Sequence, residues 1–170
     1  NLNAITTAMQ MIKARHNVEF DPFELPSEPE VYREIFSRAM TNFVFQFESE
    51  GMKGMLKQLN PTCFGDIVLA VSVYRPGPMD FIPDIIASKN GEKQSEFIIR
   101  FPQLEEVYAE TYGYPVYQEQ VMKTFTICGG FSTGKADIVR RHMSKKHERE
   151  LAQIRPEFVE GCNKNGISAE

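Results

Sequence analysis

Apolar residues recur along this chain mostly at intervals of three and four, the repeat that lines one face of an α-helix. Leu2, Ile5, Met9 and Ile12 form the first such stripe, in "NLNAITTAMQMIKARH". The acidic, proline-bearing stretch "NVEFDPFELPSEPE" follows and reads as a surface connector pinned by Phe20 and Phe23. Ser27 with Glu30 three residues on gives a capping-box start for "EVYREIFSRA". "NFVFQFES" breaks the helical repeat: Phe43, Phe45 and Phe47 alternate, which predicts a short strand or extended segment.

Beyond residue 48 the helical pattern returns. Ser49 caps "EGMKGMLKQL", which carries Met52, Met55, Leu56 and Leu59 on one face. Phe64, Ile67, Val68 and Val71 suggest the stripe of the next helix, ended by Pro76 and Pro78. Asp80 is placed to cap a short helix through Ile85 and Ile86 that Gly91 stops. "FPQLEEVYAETYG" and "VYQEQVMKTFTICGG" each read as a helix, with Gly113 and Pro115 between them. A basic helix capped by Ser132 comes next, and "HERELAQIRPEFVEGCNKNG" closes the chain, kinked at Pro156 and stopped by Gly166. The pattern predicts a mainly α fold of about eight helices, an irregular multi-helix domain with at most one or two short strands. Both ends read as cuts through a longer protein, since the first residue already adjoins a helix and Ser168 caps a helix that never follows.

Composition narrows the class. The chain has 170 residues, 42% of them hydrophobic, enough for a substantial core. No apolar run approaches the roughly 20 residues that span a bilayer, so no membrane partner is expected. Cys63, Cys128 and Cys162 are odd in number and sit in apolar patterns, which suggests buried thiols in a reduced, cytoplasmic chain. Among His16, His142 and His147 and these cysteines no pair is read as having zinc-ligand spacing, so no metal site is expected.

Charge changes the picture more. The net charge is −4, yet residues 135–146 carry Lys135, Arg140, Arg141, Lys145 and Lys146 against Asp137 alone, a local +4 that leaves −8 for the remainder. On a helix at 100° per residue Ile138, Val139, His142 and Met143 make an apolar side, and Arg140 and Arg141 project from opposite flanks of the polar face. Two planar guanidinium groups suit phosphate oxygens. A solvated helix face is the plainer reading of such a segment, and the concentration of charge in an acidic chain favours phosphate binding.

Just upstream, "GGFSTGKA" matches the P-loop spacing up to Lys135, but Ala136 stands where Ser or Thr must reach magnesium. "TFTIC" would have to be a buried strand, and no sheet pattern accompanies it. "YRPGPMDFIP" is a stiff turn presenting Tyr74 and Arg75, and "YGYPVYQEQVM" sets Tyr117, Gln118, Glu119 and Gln120 at a helix start. No catalytic triad or carboxylate dyad emerges.

Taken together, "FQFESEGM", "YRPGPMDFIPDIIASKNG", "TYGYPVYQEQVM" and "GGFSTGKADIVRRHMSKK" resemble, in order and spacing, the C family of bacterial replicative DNA polymerases, the polymerase III alpha subunits. The resemblance runs over essentially the whole chain. It implies a fingers domain over residues 46–170, with residues 1–45 forming palm-adjacent helices and a connector. It further implies that Arg140 and Arg141 lie against the triphosphate of the incoming dNTP, with Lys145 and Lys146 completing the charge. Tyr74, Arg75 and Gln118 would face the active site. Primer–template DNA, the palm and replisome subunits are the implied partners, and Mg2+ the implied cofactor, held by palm aspartates that this chain lacks. The chain departs from the family at Phe43 and Lys135, where Gly is usual, and at His142 and Ser144, where Ala and Gly are usual. A P-loop-like nucleotide hydrolase and a non-enzymatic helical interaction module remain the alternative readings.

Overall fold

The computed structural model describes residues 2–26 and 28–168. It packs as two compact units, Asn1–Tyr74 and Arg75–Glu170. The described residues form ten α-helices joined by turns and short 3-10 or π segments, and no strand is present among them. The mainly α expectation holds.

In the first unit α1 spans Leu2–His16, and none of its side chains is buried. The helix read from its repeat is there, and its apolar stripe stays largely exposed, Leu2 and Ile5 included. In the connector Phe20 is half-buried, but Phe23 stands almost fully exposed, so it does not pin the segment as expected. Helix α2, Pro29–Val31, runs into a π-helical turn, Tyr32–Phe36. The capping box proposed for this start involves Ser27, which lies outside the described residues.

The strand expected over residues 43–47 is replaced by two successive turns, Val44 N–H to the Thr41 carbonyl and Phe47 N–H to the Val44 carbonyl. Phe43 and Gln46 take left-handed φ values of 67° and 69°, which no ladder accepts. The three phenylalanines therefore part company. Phe47 is buried edge-on against Phe36 at 5.4 Å, while Phe43 and Phe45 face outward. The resemblance puts glycine where Phe43 stands, and the positive φ supplies the physical reason.

Helix α3, Glu50–Leu59, starts where Ser49 Oγ accepts the Met52 N–H, and buries all four residues of its predicted stripe. Helix α4, Phe64–Val73, turns a different face inward from the one expected. Asp66, Ile67, Leu69, Ala70 and Val73 are buried, whereas Phe64 and Val68 are exposed. The helix is apolar nearly all round, so spacing alone does not choose a face. The Asp66 carboxylate helps choose it by reaching back to accept from the Thr62 N–H and hydroxyl at 2.7 and 3.1 Å.

The second unit opens with a 3-10 turn, Pro78–Phe81, and α5, Ile82–Lys89. Asp80 lies inside that turn and does not cap α5; Phe81 holds the N-cap position and Pro83 the second helical one. A short helix that the repeat did not predict, α6, Glu96–Arg100, comes next. The single helix expected for "FPQLEEVYAETYG" is instead a 3-10 turn over Pro102–Leu104, α7 over Glu105–Tyr108, and a last 3-10 turn over Ala109–Thr111. Tyr112 ends the run at φ 54°. Pro102 lacks a backbone donor, and Thr111 Oγ1 lies near the carbonyls of Tyr108 and Tyr114, so the backbone bonds of a continuous helix are pre-empted.

Helices α8, Gln118–Ile127, α9, Thr133–Ser144, and α10, Glu148–Lys164, complete the unit. Phe125 and Phe131 pack against Phe158 at 4.8 and 5.8 Å between ring centres. Cys128 and Cys162 are buried beside this packing, as the sequence predicts, while Cys63 in the first unit is exposed. Its flanking residues are apolar, but it stands at the N-cap of α4, whose Phe64 end faces outward. Beyond α10, Gly166 at φ 75° stops the helix, with the Ile167 N–H returning to the Cys162 carbonyl.

Two glycines bring α8's end and α10 close together in this unit. A Cβ on Gly161 of α10 would lie 1.9 Å from the Gly129 carbonyl oxygen, and a Cβ on Gly129 would strike the Phe158 ring. Backbone cannot yield as a side-chain tip can. Gly161→Ala is expected to destabilise the chain by about 1–3 kcal/mol, the usual range for overpacking, measured by urea denaturation. Gly54→Ala, with no heavy atom near its Cβ position, is the control and is expected to be neutral or mildly stabilising.

Candidate nucleotide-binding site

Helix α9 begins at Ser132, whose Oγ accepts the Lys135 N–H at 3.3 Å. Its buried positions are Ala136 and Val139, one turn apart. Ile138 and Met143, expected on the apolar side, are exposed. The helix is therefore rotated relative to the expected face, and the rotation carries Asp137 and Arg140 partly inward.

This changes what the two arginines do. They do not diverge from opposite flanks; both reach back to Asp137. Arg140 Nε and Nη2 donate to Asp137 Oδ1 at 2.9 and 2.7 Å, and Arg141 Nη2 donates to Oδ2 at 2.5 Å. The residues stand three and four positions apart, the intervals that bring side chains together on a helix. One carboxylate so gathers two guanidinium groups. Hydrogen bonds from Arg140 and then Arg141 hold the Asp137 carboxyl below its ordinary pKa. The arginines differ in exposure: the Arg140 side chain is 24% accessible and that of Arg141 65%.

Gln118, the first residue of α8, joins the same group, its Oε1 accepting from Arg140 Nη1 at 2.8 Å. The sequence places Gln118 near the site by resemblance alone; the fold puts it in direct contact. Its neighbour Gln120 has a different task. Gln120 Oε1 accepts the N–H groups of Val116 and Tyr117, and its Nε2 donates to the Val107 carbonyl and Thr111 Oγ1. All four bonds available to a buried primary amide are made, which fixes the start of α8 and with it Gln118.

Lys145 and Lys146 are exposed at the end of α9, with Lys145 as C-cap and Lys146 at φ 54°. Tyr74 is the C-cap of α4 and partly buried, and Arg75 is exposed at the start of the second unit. A pocket of about 250 Å³ lies beneath α8 and α10, lined mainly by apolar side chains including Phe101, Leu104 and Phe158. Tyr74, Arg75, Gln118, Arg140, Arg141, Lys145 and Lys146 do not line it.

The P-loop reading loses its strand. Thr124 to Ile127 lie in α8, and Lys135 is turned toward α10, paired with Glu157 and 4.5 Å over the Phe131 ring. Lys135 thus serves packing at a position where the resemblance expects glycine. Nor do these residues suit magnesium. The one group of three potential metal ligands among the described residues is His142, His147 and Glu150, whose two imidazoles are not the oxygen donors that Mg2+ takes. Four residues separate His142 from His147, a spacing within the H-x3–5-H range of paired histidine ligands, so the expectation that no histidine pair has such spacing is corrected here.

The chain matches the family of bacterial DNA polymerase III alpha subunit finger domains over residues 1–166. It belongs to that family. Among the relatives of this finger domain, the DNA polymerase III subunit alpha of Neisseria meningitidis serogroup B is 46% identical over the whole chain. Those of Aquifex aeolicus and Staphylococcus aureus are 41% and 37% identical over 99% and 98% of it. The chain spans 15% of the length of each of these three relatives.

The depressed carboxyl of Asp137 has a consequence for stability in acid. A carboxyl with a lowered folded-state pKa adds stability above its unfolded value, and that stability is lost as pH falls through the folded value. Urea denaturation between roughly pH 5 and pH 2 is expected to show a steeper loss for the native chain than for Asp137→Asn. Arg140→Ala is expected to flatten the native profile in the same sense. Parallel profiles for all three chains would contradict the arrangement.

Proposed function

We propose that this chain is the part of a replicative DNA-directed DNA polymerase that grips the triphosphate of the incoming dNTP. Arg140 and Arg141 supply the paired guanidinium groups, and Lys145 and Lys146 add flanking positive charge. One observation carries the reading: both arginines converge on a single carboxylate, the arrangement a phosphate would take over. Forked donors bind two oxygens of one anion at once and fix its orientation as well as its charge.

Asp137 holds the place of that anion. While it does, the two like charges are kept side by side without repelling each other apart. The triphosphate, carrying more charge and more acceptor oxygens, replaces it. Gln118 orients Arg140 from the other side, so the head group is presented in one direction. Positioning of this kind is what phosphoryl transfer asks of a protein, since the reaction consists largely of alignment and charge stabilisation.

The remaining assignments follow the family. Residues 46–170 form the fingers, and residues 1–45 adjoin the palm. Tyr74 and Arg75 face the active site, and the surface helps position primer–template DNA. The palm supplies the aspartates that hold Mg2+, which stabilises the attacking and leaving oxygens when bound. Other replisome subunits are partners of the whole enzyme, in the cytoplasm. No helix of the described residues is long and apolar enough to cross a membrane.

The test is a titration of the chain with each of the four dNTPs, followed by amide NMR shifts at two salt concentrations. Base-independent, salt-sensitive shifts are expected around α9. The Arg140→Ala/Arg141→Ala double variant should bind at least ~100-fold more weakly, since charge-assisted hydrogen bonds contribute about 1.5–3 kcal/mol each. Primer extension by the chain alone is expected to be absent. Undiminished binding by the double variant would sink the reading, and salt-sensitive binding of an acidic protein without any nucleotide binding would favour an interaction module.

A further inference from the structure

We propose that His142, His147 and Glu150 form a binding site for a transition-metal dication, zinc by ligand type, that clips the end of α9 to the start of α10. This inference stands apart from the nucleotide reading. It begins with how α9 ends. The Lys146 N–H returns to the Met143 carbonyl at 3.1 Å and the His147 N–H to the His142 carbonyl at 2.9 Å, with Lys146 in the left-handed conformation at φ 54°. That pair of bonds is a Schellman motif, in which the residue two past the cap folds back onto the last full turn. The two side chains that meet there are usually apolar. Here both are histidines.

Their rings lie 5.4 Å apart between centres, and their Nδ1 atoms are 3.2 Å apart. With zinc–nitrogen bonds of about 2.0–2.1 Å, the edge of a tetrahedral site is about 3.3–3.4 Å. The two nitrogens already stand close to that edge. Glu150 follows His147 by three residues and lies in the first turn of α10, on the side that faces back to the histidines. One donor atom from each of the three residues lies within 4.8 Å of the others. The carboxylate closes the remaining gap by a change of side-chain rotamer, open to it because Glu150 is only partly buried.

Two imidazoles and one carboxylate are a zinc set, with a fourth position left for water or another oxygen ligand. Magnesium, which prefers oxygen throughout, is a poor fit. The ligands come from α9, the turn and α10 in that order, so a bound ion ties together three pieces of backbone. It would hold the turn next to Arg141, Lys145 and Lys146 in one conformation. Without an ion, the two histidines can share a single proton between their Nδ1 atoms, and that arrangement is the competing account of their closeness.

The chain, stripped of metal with a chelator, is titrated with Zn2+ by calorimetry and with Co2+ by visible absorption. One ion per chain is expected, with Co2+ giving the intense bands of a four-coordinate site, and with Zn2+ but not Mg2+ raising the thermal midpoint. Glu150→Gln keeps both histidines and is expected to fold. It and His142→Ala should each weaken Zn2+ binding by more than the roughly 10–100-fold that loss of an outer-shell partner costs. His16→Ala should leave binding unchanged, and circular dichroism checks that every variant is folded. Failure to bind Zn2+, an equal response to Mg2+, or unchanged affinity in Glu150→Gln would overturn the proposal.

Discussion

Two guanidinium groups on adjacent residues of one helix repel each other, and each carries a planar fork of donors that needs acceptors. The Asp137 carboxylate offsets the repulsion and satisfies three of those donors by accepting hydrogen bonds from Arg140 and Arg141. The short basic segment of an otherwise acidic chain therefore does not splay into solvent. It presents a compact, oriented head group, which in the proposed function a phosphate takes over. Within the second unit α8 and α10 pack against α9 and hold that head group in place.

The supports are small and exact in their demands. Gln120 spends every donor and acceptor of its amide on the backbone around α8, which leaves Gln118 at the helix start to meet Arg140. Gly129 and Gly161 let α10 approach the turn before α9 to a distance that no side chain would permit. Phe125, Phe131 and Phe158 fill the space around that contact, and Lys135 seals its edge through Glu157 and the Phe131 ring. Ala136 belongs to the same logic. The residue that spoils the P-loop pattern is fully buried, at a position where a hydroxyl could not have served a metal.

Much of this was legible in the sequence, and the exceptions have physical causes. Local chemistry read well: Ser49 and Ser132 cap their helices, Gly166 stops α10, and the stripe of α3 is buried as its spacing predicts. Face selection read poorly where a helix is apolar nearly all round, as in α4, or offers competing faces, as in α9. There the choice falls to partners distant in sequence or to one buried polar group such as Asp66. Alternating phenylalanines at residues 43–47 imitate a strand, but a strand needs a neighbour, and two left-handed residues make turns instead. The convergence of Arg140 and Arg141 was hidden because it depends on an acid, Asp137, that a charge count treats only as a subtraction. The meeting of His142 and His147 was hidden because a helix-ending motif, not helical periodicity, folds one back onto the other.

The most direct test of the central claim follows the Asp137 carboxyl itself. Its carbon-13 resonance is titrated with acid in the free chain and again with a dNTP at saturating concentration, binding being monitored through the phosphorus resonances. If the triphosphate takes over the two arginines, the Asp137 carboxyl rises in the complex from its depressed position in the free chain toward the ordinary aspartate range. A nucleotide that binds while Asp137 titrates as it does in the free chain would mean that the triphosphate lies elsewhere, and the account of α9 as its grip would fail.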